Sequence, residues 1–223
     1  MRILFMGTPE FAVASLRCLV EEGHTICGVL TQPDKPRNRG HKVTFSPVKE
    51  YALSQSLPCT SPPRLRDGDG LELVKGLAPE LTVVAAYGKL LPEEILAVPP
   101  LGSINVHSSC CPSTGRRPDP VSVINGEAET GITTMYMGEG LDTGDILLVQ
   151  RTPIGPEETA GELFDRLAPM GADCLKKTVR ALEEKRITPV KQDEQKATYA
   201  PMLDKTMAEL DFTRPAAELS SSA

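Results

Sequence analysis

The sequence predicts an α/β protein built on a mostly parallel sheet with helices on its faces. Three observations predict it. The chain opens strand-turn-helix-strand, which builds parallel neighbours. "LTVVAAY" (Leu81 to Tyr87) is a near-continuous apolar run, as a central parallel strand requires. "ETGITTMYM" (Glu129 to Met137) alternates and is followed after a glycine-rich turn by "DILLVQRTPI", a pair that reads as antiparallel at the far side of the sheet.

"RILFM" (Arg2 to Met6) is the first strand, ended by Gly-Thr-Pro. Thr8 is placed to cap the next helix, with Pro9 at its first position. Phe11, Ala12, Leu16, Leu19 and Val20 share one face of that helix, and Gly23 ends it. "TICGVLTQ" (Thr25 to Gln32) is the second strand, and residues 33–45 read as a long polar loop. Ser46 caps a helix reaching about Gln55, and Gly70 to Leu77 reads as another. After the central strand come a short helix in "PEEILAV" and a strand in "GSINVH" (Gly102 to His107). Thr159 caps a long helix to about Glu184, with Leu163, Leu167, Met170, Cys174 and Leu175 inward. Beyond Arg186 the chain turns polar and proline-punctuated, as a linker does.

The 223 residues suit one domain or one domain and part of another. A hydrophobic content of 40% and a charged content of 24% are ordinary for a globular protein. No apolar run approaches a membrane span, and the five-residue apolar run at the N-terminus is too short for a secretory signal, so a cytoplasmic protein is expected. The six cysteines form no C-x-x-C pair and there are three histidines, which argues against a structural zinc site; no metal is expected. Net charge is −6, yet "KPRNRGHK" (Lys35 to Lys42) concentrates basic side chains in one loop. Such a loop is either a solvated surface or a grip on phosphates.

Ligands of open α/β sheets bind beyond the C-terminal ends of the strands. Three features fall there: the "GTPEF" turn, Asn105 and His107 at the end of "INVH", and Asp142 in "GLDTGD". Asn105 and His107 are two residues apart on a strand and point to one side. An amide donor beside an imidazole can stabilise an oxyanion and move a proton, and a carboxylate near the imidazole would orient it. The same residues also suit a plain polar strand cap and a turn aspartate. "GTPEF" lacks the G-x-G-x-x-G pattern, which weighs against a dinucleotide enzyme.

The chain resembles the methionyl-tRNA formyltransferase family. The resemblance is carried in order by "MRILFMGTPEFAV", "TQPDKPRNRG", "SPVKEYAL", "VVAAYGKLLP", "INVHSS", "ETGITTMYM", "EGLDTGDILL", "TPIGPEETAGEL", "ATYAPML" and "DFTRPAAEL". It implies a Rossmann-like, mostly parallel sheet flanked by helices, the formyltransferase fold. It implies 10-formyltetrahydrofolate as formyl donor and the α-amino group of methionine on initiator methionyl-tRNA as acceptor, in a protein expected to be a monomer. Asn105, His107 and Asp142 would be catalytic. Tyr87, Gly88, Leu91, Ser109, Cys110, Cys111 and Pro112 would line the folate pocket. Lys35, Arg37, Arg39 and Lys42 would contact tRNA. Residues 1–188 would form the catalytic domain, and residues 189–223 a linker towards a C-terminal β-barrel that this chain, ending in "SSSA", lacks. Two rivals remain at this point: a relative acting on a small amine, and a catalytically dead remnant.

One stretch departs from the family. After N-V-H the family reads approximately A-S-L-L-P-K-Y-R-G-A-A-P-I-Q-W-A-V-I; here it is S-S-C-C-P-S-T-G-R-R-P-D-P-V-S-V-I. Writing L-L-P-K-Y-R as CTG CTG CCC AAG TAC CGG and moving the frame one base yields Cys-Cys-Pro-Ser-Thr-Gly. Writing A-A-P-I-Q-W as GCC GCC CCG ATC CAG TGG and moving it the other way yields Arg-Arg-Pro-Asp-Pro-Val. Residues 108–122 therefore read as a compensated frameshift. Cysteines in place of two leucines would cost apolar volume, and a displaced loop with weakened folate binding is expected.

Overall fold

The computed structural model describes residues 1–37, 42–66, 68–110, 122–138, 140 and 142–192. Arg39, Cys111, Pro112, nearly all of the frame-shifted stretch and the chain beyond Gln192 lie outside them.

A seven-stranded sheet runs in the order β5-β2-β1-β6-β7-β8-β9. Its strands are β1 (Arg2–Gly7), β2 (Thr25–Leu30), β5 (Cys59–Thr60), β6 (Leu81–Ala85), β7 (Ser103–His107), β8 (Glu129–Tyr136) and β9 (Ile146–Pro153). The pairs from β5 to β7 are parallel; β7–β8 and β8–β9 are antiparallel. The predicted mixed sheet is therefore the observed one. The parallel strands β1 and β6 at its centre are mostly apolar because helices cover both faces.

Helices α1 (Glu10–Glu21), α2 (Pro47–Ser54) and the long α5 (Ala160–Glu183) cover one face. Their core includes Phe11, Leu16, Leu19, Val48, Leu163, Leu167 and Leu175 against Ile3, Phe5, Val83, Ile104 and Ile132 of the sheet. Phe11 and Phe164 join α1 to α5, their ring centroids 5.6 Å apart. Helices α3 (Gly68–Leu77) and α4 (Glu93–Leu96) lie over the other face, where Leu65, Val74, Tyr87 and Ile95 pack on Leu4, Met6, Leu30 and Val84. The predicted caps of α2 and α5 are present. Ser46 accepts from the Lys49 N–H, and Thr159 and Glu162 form a reciprocal capping box.

Three expectations are corrected. Thr8 does not cap α1; Pro9 occupies that position without a side-chain hydrogen bond. The Thr8 hydroxyl instead donates to the Tyr87 carbonyl and accepts from the Gln32 N–H. The 33–45 segment is not all loop, because Lys35–Arg37 (β3) and Lys42–Thr44 (β4) pair antiparallel as a separate hairpin. The chain beyond Arg186 is not simply a linker. Val190 exchanges two backbone hydrogen bonds with Ile146 at the start of β9, of 2.8 and 2.9 Å.

Candidate functional site

Strand order reverses between β1 and β6: β2 lies on one side of β1, and β6 and β7 on the other. A crevice opens beyond the strand ends at such a switch point. Here its rim is stitched together by Thr8 and Gln32, which both donate to the Tyr87 carbonyl, at 3.2 and 3.0 Å.

Beside it, at the C-terminal end of β7, the predicted trio converges. Asn105 and His107 are two residues apart on β7, so the pleat presents both side chains on one face. Asp142 reaches them from the turn between β8 and β9. The Asn105 amide donates from Nδ2 to Asp142 Oδ1 at 3.3 Å. The His107 Nε2 lies 3.5 Å from Asp142 Oδ2, with the two side chains 10% and 18% exposed. One carboxylate thus faces both partners with separate oxygens. A carboxylate only accepts, so the amide nitrogen, not its oxygen, must face it. That leaves the second Nδ2 hydrogen for another acceptor.

His107 is held from its other side as well. Its Nδ1 lies 3.0 Å from the Ser109 hydroxyl, which can donate or accept and so serves either tautomer. Ser109 is fixed in turn by the buried Thr133 hydroxyl, which donates to the Ser109 carbonyl at 2.6 Å. Thr133 lies directly across from His107 in the β7–β8 register. Sequence reading missed Thr133, whose only signal is the antiparallel register itself.

The Asp142 turn is tightly determined. Asp142 has φ +53°, a left-handed conformation that aspartate tolerates better than most residues. Gly144 passes so close to β8 that an added Cβ would overlap the Tyr136 carbonyl. The Tyr136 N–H donates to the Asp145 carbonyl at 2.9 Å, closing the turn onto the strand.

The other predicted residues are placed less uniformly. Tyr87 is 1% exposed and packs in the core, and its carbonyl accepts from Thr8 and Gln32 at the crevice rim. Burial pushes its phenol up to about 12. Gly88 is exposed at φ +78°, and half-buried Leu91 lines a shallow depression with Arg66, Pro92 and Glu93 that does not include the trio. Ser109 has its hydroxyl and carbonyl engaged within the protein, and the Cys110 sulfur lies over Gly131 of β8. Lys35 and Arg37 lie on β3 and Lys42 on β4. Among the described residues, no group of three or more metal-ligating side chains gathers in one place.

Residues 1–179 match the formyl transferase family model. The chain belongs to the formyl transferase family. Within it, the sequence is 49% identical over 220 residues to a methionyl-tRNA formyltransferase of Alkaliphilus oremlandii, covering 98% of this chain and 71% of that one. It is 50% identical over 221 residues to one from Caldanaerobacter subterraneus, covering 98% of this chain and 72% of the relative. Solved formyl transferases share the fold at lower identity. A sugar 3N-formyl transferase superposes with a TM-score of 0.75 at 19% identity, over 100% of this chain and 77% of its own. A glycinamide ribonucleotide transformylase from Symbiobacterium toebii gives 0.69 at 18% identity, over 86% of this chain and 94% of its own. No helix among the described residues is long and apolar enough to cross a membrane.

Proposed function

We propose that this formyl transferase moves the formyl group of 10-formyltetrahydrofolate to the α-amino group of methionine on initiator tRNA. The observation that carries the chemistry is the convergence of Asn105 and His107 on Asp142, at 3.3 and 3.5 Å. The donor set fits an acyl carbon under attack by an amine: one amide N–H, one imidazole and one carboxylate. The acceptor assignment rests on relatives of about half identity that cover nearly the whole chain.

The amine nitrogen attacks the formyl carbon, whose oxygen takes up negative charge. The remaining Asn105 N–H stabilises that oxyanion. His107 receives the proton shed by the amine and returns it, directly or through water, to the departing folate nitrogen. Asp142 holds the imidazole in register and stabilises its protonated form while the charge persists. The C–N bond to the acceptor forms first, and collapse of the tetrahedral oxyanion then breaks the C–N bond to the protonated folate nitrogen, so no covalent enzyme intermediate is required. The backbone of Tyr87 and Gly88, with Leu91, Ser109 and Cys110, would flank the folate. The β3–β4 hairpin with Lys35, Arg37 and Lys42 would meet the RNA phosphates. Residues 1–188 would constitute the body of the catalytic domain, and residues 189–223 would continue from it, their first four residues still packed against the sheet end.

Asp142→Asn tests the reading. Asparagine keeps the size and tolerates the left-handed backbone, but lacks the charge and presents one oxygen instead of two. Formylation of charged initiator tRNA should fall roughly 10²-fold or more, with KM for the tRNA little changed. Small amines offered in parallel should remain poor acceptors. Unchanged turnover in the variant would remove Asp142 from the mechanism; faster reaction with a small amine would overturn the tRNA assignment.

A further inference from the structure

Gln192 lies fifty residues beyond Asp142 in sequence and nine beyond the end of α5, in the stretch that sequence reading assigned to a linker. Its side chain nevertheless ends inside the catalytic turn. The Gln192 Nε2 donates to the Asp142 carbonyl and to the Gly144 carbonyl, both at 2.7 Å. Both amide hydrogens are thereby used on the one turn. The same nitrogen lies 3.6 Å from the Met135 sulfur, and Met135 is the direct cross-strand partner of Asn105. Two residues earlier, Val190 pairs with Ile146 of β9 through its N–H and carbonyl. The segment is therefore a strap across the sheet end, secured at Ile146 and again at the turn.

We propose that Gln192 is a positioning residue for catalysis, acting through the backbone of Asp142. Asp142 holds φ +53°, and the direction of its carboxylate follows from that backbone. The Gln192 amide fixes the carbonyl on one side of Asp142 and, through Gly144, the far end of the same turn. Gly144 cannot retreat, because β8 already lies against it. Without the two donors both carbonyls turn to water, and the turn gains freedom to tilt the carboxylate away from Asn105 and His107. The half-buried Gln192 makes these contacts from a segment whose neighbours Pro189, Val190 and Lys191 are exposed, so it adds little to the core.

This rests on the catalytic reading of Asp142, and the test separates the two. Gln192→Ala removes both donors. Gln192→Glu keeps the shape but turns a carboxylate onto two carbonyl oxygens. Lys191→Ala is the control in the same segment. A misplacement of about 1 Å can cost ~10²-fold in rate, so kcat should fall roughly 10-fold in the alanine variant and further in the glutamate variant. KM for the tRNA and Tm should stay close to the parent chain and the control. A second readout needs no turnover. The chain holds three histidines, so three imidazole signals report by NMR. The His107 signal should move in both Gln192 variants and stay fixed in Lys191→Ala. If the His107 signal moves while Asp142→Asn leaves turnover intact, the catalytic reading fails and the positioning contact stands. If Gln192→Ala shows parental kcat and an unmoved His107 signal, or loses Tm in proportion to rate, the positioning role is refuted.

Discussion

Gly144→Ala is the sharpest test of how the site is built. Gly144 does not have a positive φ, so alanine suits its backbone; what excludes a side chain is proximity to β8. The added Cβ would fall well inside 3.0 Å of the Tyr136 carbonyl, a strand backbone atom that cannot swing aside. The turn carrying Asp142 must therefore shift by on the order of 1 Å. Opening the 3.5 Å gap between His107 Nε2 and Asp142 Oδ2 by that amount weakens the attraction that forms once His107 takes the proton from the amine by about 1 kcal/mol at an effective dielectric of ~20. That alone is about five-fold in rate. The Asn105 amide loses its 3.3 Å contact with the same carboxylate, and misplacement of the oxyanion donor adds a factor approaching 10² at most. The expected loss in kcat/KM thus lies between about 5-fold and ~500-fold. Overpacking costs about 1–3 kcal/mol, or ~2–4 °C in Tm for each kcal/mol. The assay is single-turnover formylation of charged initiator tRNA beside a thermal melt. A variant with parental rate and parental Tm would refute the account of the turn.

Two further predictions concern stability. Thr133→Val leaves the Ser109 carbonyl without its buried donor and should cost about 1–3 kcal/mol; because Ser109 in turn faces His107, kcat should also fall, and a melt with parallel rate measurements checks both. For Tyr87, burial raises the folded pKa to about 12 from an ordinary 10, so the folded state keeps a proton the unfolded state gives up. Stability from this group is complete below pH 10 and is lost as pH climbs towards 12. The buried Cys174 thiol, raised to about 11, acts the same way from pH 9 upward. Among the described residues the Tyr87 hydroxyl has no hydrogen-bond partner, so Tyr87→Phe should be neutral or stabilising at pH 7 and should flatten the fall above pH 10 in denaturant titrations.

Much of this architecture was legible because strong local signals agreed with it. The capping pairs at Ser46 and Thr159, the apolar run at Leu81–Ala85 and the alternation at Glu129–Tyr136 each specify an element with little help from elsewhere. The proposed catalytic trio was legible in part. The i, i+2 spacing of Asn105 and His107 is a strand property, whereas bringing Asp142 to them depends on how β7, β8 and β9 pair. Thr8 shows where local reasoning fails. A threonine before proline suits a helix cap, but here two nearby strand ends compete for its hydroxyl and win. β5 escaped notice because two residues, Cys59 and Thr60, carry no periodicity. Gln192 left no local signal at all, since its partners are main-chain carbonyls fifty residues away, and any sequence can supply those.

The pairing of Val190 with Ile146 has a practical corollary. β9 is the outermost strand of the sheet, and its outer row of N–H and C=O groups is the kind of seam onto which a foreign strand can add. Val190 clips the beginning of that seam, while the same few residues brace the Asp142 turn. A shortened version of this protein cut at residue 188 would bare the hem of the sheet and unbrace its chemistry in a single stroke. Self-association and sluggish turnover would then arrive together, and moving the cut past residue 192 should cure both.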